Sequence, residues 1–202
     1  MNDTRNRILD VALEVLGQDP DAGMGEVATA AGVVRRTVYG HFPTRLDLVR
    51  TLSRRAVDEI AFVLGEADGS HVSDGSGDAA GSAETVWVDF VTRLWPLTHR
   101  YRVLLALRRG EYGHEIHAML GPIDASLAEL VGRGQESGVF GRHLAPGILG
   151  QLAFSTVFAI ADHDLATGGL GAEDAIMTTL LLLGVPEARG RALLADGISS
   201  NA

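Results

Sequence analysis

Residues 24–50 read MGEVATAAGVVRRTVYGHFPTRLDLVR, and this stretch decides the fold. Met24 to Ala31 is predicted as one short helix. Gly23 stands at its N-cap position, Glu26 lies three residues on, and Val27, Ala28 and Ala31 line its apolar side. Gly32 supplies a sharp turn and Val33 an apolar anchor, after which Val34 to His41 is long enough for a second short helix. Two short helices joined by a turn of three or four residues that contains glycine form a helix-turn-helix, whose second helix can enter a major groove.

Outward from that centre the chain continues as helix. On the N-terminal side Thr4 can cap a first helix running to about Leu16, with Ile8, Leu9, Ala12, Leu13, Val15 and Leu16 as its buried stripe. On the C-terminal side Thr44 and Asp47 make a capping box for a fourth helix through about Leu64. That helix carries enough apolar residues to pack on two sides, which suits a helix joining a DNA-reading head to a body. Charge follows the same division. The chain totals −9, yet residues 32–55 hold Arg35, Arg36, Arg45, Arg50, Arg54 and Arg55 against the single Asp47, a local balance of +5 that leaves −14 for the rest. A concentrated basic patch on an acidic body is a directed footprint for nucleic acid.

These residues resemble the DNA-binding domain of the TetR family of transcriptional regulators. The resemblance is carried by Ala31-Gly32-Val33, by Arg35-Arg36-Thr37-Val38-Tyr39, by His41-Phe42 and by Pro43-Thr44-Arg45, with Arg7 to Leu13 similar to the family's first helix. It covers roughly the first 55 residues; the remainder matches only in length and helical character. It implies that Tyr39 and His41 reach the DNA backbone and groove, that Arg45 takes the place of the family's phosphate-binding lysine, and that Thr44 starts the fourth helix beside a phosphate. Arg35 and Arg36, at the front of the second helix, can grip guanine O6 and N7 or a phosphate, and Thr37 can reach a base edge. Val38 and Phe42 are expected in the core. Two positions depart from the family pattern. Gly23 and Val34 stand where a serine or threonine usually caps a helix, and at Val34 the missing cap costs about 1 kcal/mol.

The body offers a helical pattern with one compositional break. Gly65 to Ser82, GEADGSHVSDGSGDAAGS, is expected as a surface loop, because it has too little apolar surface to fold by itself. Ala83 to Trp95 follows as helix, broken or kinked at Pro96. A shorter helix over Thr98 to Arg109 and a less regular Gly110 to Leu120 come next, then a helix from Pro122 to Ser137. Pro146 to Ala166 and Ala172 to Leu183 are apolar nearly all round and so need cover on every side. A dimer interface around Phe154, Phe158 and Leu181 supplies it, and the resemblance implies the same. A short helix over Glu187 to Ala195 ends the pattern.

The aromatic residues Trp87, Phe90, Trp95, Tyr101 and Tyr112, with His99 and His117, fall in the middle helices, where the resemblance places an effector pocket. Such residues suit a hydrophobic or aromatic small molecule, and they serve equally as ordinary core. A helical enzyme or metal-dependent hydrolase is the alternative reading. It rests on His99, Glu111, His114, Glu115 and His117 and on Asp162-His163-Asp164. His114-Glu115-Ile116-His117 lacks the spacing that puts two histidines on one helix face, so no metal and no cofactor is expected. No apolar run reaches the ~18 residues of a membrane span, the N-terminus has no signal-peptide core, and cysteine is absent, which together point to the cytoplasm. The expectation is an all-α protein. A head over residues 1–50 carries the helix-turn-helix, and a body over residues 51–202 binds effector and dimerises. Two copies would read a palindromic operator as a repressor, with effector binding moving the fourth helix and spreading the heads.

Overall fold

Apolar residues recurring at three- and four-residue intervals leave helix as the regular structure, and the computed structural model bears this out. It describes residues 2–70, 82–104, 107 and 112–199. Its helices are α1 (Asn2–Gln18), α2 (Met24–Ala30), α3 (Arg35–His41), α4 (Arg45–Ser70), α5 (Ala83–Arg100), α6 (Gly113–Met119), α7 (Gly121–Ser137), α8 (Pro146–Thr167), α9 (Ala172–Leu182) and α10 (Glu187–Ser199). The chain divides into two units, one of Met1–Asp58 with Arg100–Leu120 and one of Glu59–His99 with Gly121–Ala202.

In the first unit α1 packs on α2, and α2 on α3. Ile8, Leu9, Ala12, Leu13 and Leu16 of α1 are buried, as are Val27 and Ala28 of α2, Val38 of α3, and Leu48, Val49 and Leu52 of α4. Phe42, just past α3, is also buried, and the Arg5 guanidinium sits 5.3 Å above its ring, covering it with a cation. The helix starts two residues before Thr4, so Thr4 lies inside its first turn and does not cap it. Tyr101, Val103, Leu107, Tyr112 and Ile116 add buried side chains to this unit.

In the second unit α7 packs on α8, α8 on α9, and α9 on α10. A run of aromatic contacts crosses its largely aliphatic interior. Trp87 and Phe90 meet edge to face at 5.9 Å, Phe90 stacks on Phe154 at 6.3 Å, and Phe154 meets Phe158 edge to face at 5.0 Å. The indole N–H of fully buried Trp87 donates to Thr179 Oγ1 at 2.9 Å, and that hydroxyl donates back into its own helix, to Ala175 O at 2.7 Å. Both polar groups are therefore satisfied where water cannot reach them.

Several boundaries differ from expectation, most of them for a tertiary reason. Helix α4 runs through Gly65 to Ser70, which composition assigned to a loop; Ala67 is fully buried and Asp68 pairs with Arg133 at 2.5 Å. The rest of that expected loop, 71–81, lies outside the described residues, as does most of 105–111. Pro96 sits inside α5 without ending it. Proline there removes one helical hydrogen bond, but Val91, Leu94 and Thr98 are buried on either side and hold the helix. The segment expected to be irregular contains α6, whose Ile116 is buried. The last helix, α10, extends to Ser199.

Candidate nucleic-acid interface

The turn between α2 and α3 follows from glycine chemistry. Ala31, just past α2, keeps right-handed geometry, and Gly32 then takes φ 64, a left-handed conformation that costs other residues about 1 kcal/mol or more. The Gly32 N–H donates to Thr29 O at 3.1 Å and the Val33 N–H to Ala28 O at 3.0 Å, the paired closure of a Schellman motif. Val34 is extended (φ −76, ψ 149) and its carbonyl accepts the first bond of α3, from Thr37 N–H at 2.9 Å. Upstream, the Gly23 N–H donates to Glu26 Oε2 at 2.6 Å. That is half of a capping box, the other half needing a side chain that glycine lacks.

Helix α3 sorts its residues cleanly. Val38 is fully buried and Phe42 nearly so, which fixes the helix on the head, while Arg35, Arg36 and Tyr39 are exposed and Thr37 and His41 half-buried. Arg35 lies back over α2. A β-carbon at Gly25 would stand only 2.5 Å from its Nη2, so the absence of a side chain at Gly25 makes room for the guanidinium. Val34 is 69% exposed and makes no side-chain capping bond.

At the start of α4 the expected capping box is complete. Thr44 N–H donates to Asp47 Oδ2 at 3.0 Å, Thr44 Oγ1 to the same oxygen at 2.7 Å, and Asp47 N–H to Thr44 Oγ1 at 3.1 Å. Thr44 thus has its hydroxyl engaged in capping. Arg45 is engaged as well. Its Nε donates to Ala22 O at 3.3 Å, its Nη1 to Tyr112 OH at 3.1 Å and its Nη2 to Pro20 O, with the guanidinium 5.4 Å above the Tyr112 ring. Arg50 makes a two-pronged bond to Glu115, Nε to Oε2 at 2.9 Å and Nη2 to Oε1 at 2.8 Å. That hydrogen-bonded carboxylate holds the Arg50 guanidinium still more firmly protonated than usual. Arg55 Nη1 donates to Asp10 Oδ1 at 2.8 Å, and Arg100 reaches the same oxygen at 3.4 Å.

The basic patch is therefore smaller than its composition. Arg45, Arg50 and Arg55 are bonded to the chain itself, Arg50 while still exposed, and Arg35, Arg36 and Arg54 are the other exposed arginines of the patch. Sequence reasoning missed Asp10, Tyr112 and Glu115 as partners of these arginines. They lie 45 to 67 residues from the arginines they meet, so no local spacing could have pointed to them.

The residues considered for an effector fall into different surroundings. Trp87 and Phe90 are core residues of the second unit, whereas Trp95 and His99, on the same helix, are half-buried and meet edge to face at 5.0 Å. His99 Nε2 is 3.3 Å from Asp164 Oδ2, and Asp164 Oδ1 accepts the Leu170 N–H at 2.9 Å. That backbone bond first, and His99 second, hold the Asp164 carboxyl below the usual carboxylate range. Tyr101 and Tyr112 are buried in the first unit, and His117 is exposed there. Of the residues behind the metal reading, Glu115 is bound to Arg50 and Glu111 lies outside the described residues. Among the described residues no three of His, Cys, Asp or Glu come together as a metal site.

The apolar helices α8 and α9 leave part of their surface in water. Ile148 is 54% exposed, Leu152 45% and Leu181 48%, and Leu165 is exposed too. Phe158 is half-buried. Phe154 is 3% exposed, its ring enclosed between Phe90 and Phe158, so it belongs to the core of its own chain.

Comparison with known proteins agrees with this geometry. Residues 8–52 match the model of the bacterial regulatory proteins of the tetR family. The HTH-type transcriptional repressor LfrR of Mycolicibacterium smegmatis is 45% identical over 65 residues, 32% of this chain and 34% of that protein. The HTH-type transcriptional regulator AcrR of Shigella flexneri is 46% identical over 48 residues, 23% of this chain and 22% of that protein. The aligned stretches thus span about a third of the first of these relatives and less of the second. Solved structures extend the likeness in fold. LfrR of Mycobacterium smegmatis in complex with proflavine superposes with a TM-score of 0.68 at 24% identity, covering 90% of this chain and 94% of that one. The fatty acid degradation regulator FadR of Bacillus halodurans gives 0.70 at 20% identity, covering 90% and 95%. Residues 8–52 thus match the N-terminal segment of the bacterial regulatory proteins of the tetR family, and the chain as a whole shares the all-α fold of the solved structures on which it superposes.

Proposed function

We propose that this protein is a DNA-binding transcriptional regulator, a repressor released from its operator by a small-molecule effector. The observation that carries the reading is the sorting of α3. Val38 and Phe42 fix the helix from within, and Arg35, Arg36 and Tyr39 face water beyond a tight Gly32 turn. A helix held this way can enter a major groove with its first residues at the base edges. Arg36, exposed at the front, is the residue for a two-pronged guanine contact, and Arg35, laid over Gly25, suits a phosphate beside the groove. Thr37, Tyr39 and His41 follow along α3, and Thr44 lies just past it, as further candidates for DNA contact. Arg45 reaches a phosphate only by giving up its bonds to Pro20, Ala22 and Tyr112, so its first role is to brace the head.

The regulator acts as a homodimer. Ile148, Leu152 and Leu181 expose apolar surface on α8 and α9, and a self-complementary helix pair closes as a two-fold dimer. Phe158 lies at the edge of that seam with Phe154 behind it. Two heads then address half-sites about 34–36 Å apart, or a multiple of that. The effector is an apolar or aromatic molecule that meets the half-buried Trp95 and His99 first. LfrR bound to proflavine, and another fold relative, RolR, bound to resorcinol, support that chemistry. Helix α4 contributes residues to both units and is the covalent route from body to head.

Selection of the full-length protein on random duplexes tests the reading. The expected result is a palindromic sequence bound with strong salt dependence. Absence of any enriched sequence would overturn it.

A further inference from the structure

The residue at the tip of the recognition helix is chemically out of place. Val34 occupies the N-cap of α3, where a hydroxyl or carboxamide would satisfy a free backbone N–H, and its side chain caps nothing. It also lies 69% in water, more exposed than Tyr39 at 49% and unlike Val38 and Phe42, which are sunk to 0% and 1%. An isopropyl group there serves neither the helix end nor the core. Its neighbours Arg35 and Arg36 are exposed cations, and Gly40, with nothing within 4 Å of where its β-carbon would be, leaves the same helix uncrowded.

From this placement, and resting on the DNA-binding reading above, we propose that Val34 is a specificity-determining residue that reads a thymine 5-methyl group in each operator half-site. The first residues of a recognition helix are the ones that reach base edges. Among the groups displayed in the major groove, the thymine methyl is the apolar one, and an apolar side chain is its natural partner. Val34 cannot donate or accept a hydrogen bond from its side chain, so it rewards no other base edge. Arg36 beside it reads guanine. The half-site accordingly holds a thymine next to the guanine contacted by arginine.

Deoxyuridine, which differs from thymidine only by the missing methyl, tests this directly. The selected duplex is resynthesised with each thymine of the half-site, together with its symmetry mate, replaced singly by deoxyuridine. Binding of the full-length protein and of Val34→Ser is then measured on the whole set. For the unaltered protein, one replacement in the half-site is expected to weaken binding about fivefold to tenfold, the others little. For Val34→Ser that penalty falls to about one, while thermal unfolding stays at or above the original temperature because serine restores the cap. A half-site without thymine, indifference to every replacement, or the same penalty in Val34→Ser each overturns the proposal while leaving DNA binding intact. Failure to select any duplex overturns the DNA-binding reading itself, and this inference with it.

Discussion

Helices α3 and α8 both leave apolar side chains in water, but in different company. On α3 a single exposed valine sits beside two exposed arginines, over a firmly buried Val38. On α8 and α9 the exposed residues are Ile148, Leu152, Leu165 and Leu181, and the nearest aromatic, Phe158, is only half covered. The first surface suits a polyanion with an apolar spot in it, and the second is the one proposed above as the dimer face. What separates them is number: a single apolar residue in water is common on proteins, whereas several on two helices that pack together are the kind of set a partner covers.

The comparison is broken most severely by charging the second surface. Leu152→Asp with Leu181→Asp is expected to convert the dimer to a folded monomer. Each leucine buried at a seam contributes about 1.5–3 kcal/mol and is counted twice by symmetry, while each new aspartate is left unpaired. Sedimentation should give the monomer mass with an unchanged helical spectrum, and operator binding should fall at least a hundredfold. A stable dimer with full affinity would place the interface elsewhere.

On the first surface, Arg36→Ala is expected to weaken binding to the selected operator by about 1–3 kcal/mol and to scrambled duplex far less. Equal losses on both would reassign Arg36 to a phosphate.

Arg45→Ala sharpens the distinction between arginines that face DNA and arginines that hold the protein. Losing bonds to two carbonyls and a tyrosine should lower stability by about 1–2 kcal/mol, the guanidinium being partly exposed. The melting temperature should therefore drop while the slope of affinity against salt stays put. A slope reduced by about one with no change in melting would make Arg45 a phosphate ligand instead.

The smallest expected effect is in the body. Asp164 has its carboxyl pKa lowered from an ordinary 3.8 by the Leu170 N–H and by His99. A carboxyl depressed on folding stabilises the protein above its unfolded pKa, and the contribution disappears as pH falls through the folded one. The gap in urea midpoint between the protein and Asp164→Asn should accordingly be present at pH 7 and close below the carboxylate range. A gap unchanged at pH 3 would show that shape, not charge, sets the value of this side chain.

The amino-acid sequence by itself determined what depends on neighbours within one or two helical turns. The Gly32 turn, the Thr44–Asp47 cap, the buried faces of α1 and α3, and the apolar character of α8 and α9 all arise from contacts over three to five residues or from periodicity. Tertiary structure decided what depends on distant partners. Which arginines the chain itself engages was settled by Asp10, Tyr112 and Glu115, and Phe154 was drawn into the core by Phe90 from another helix. Ala67 and the Asp68–Arg133 pair carried α4 past the point where composition ended it, and buried neighbours kept α5 whole across Pro96. A short-range rule records what a residue prefers. Only the packed chain supplies the partner that satisfies it or overrides it.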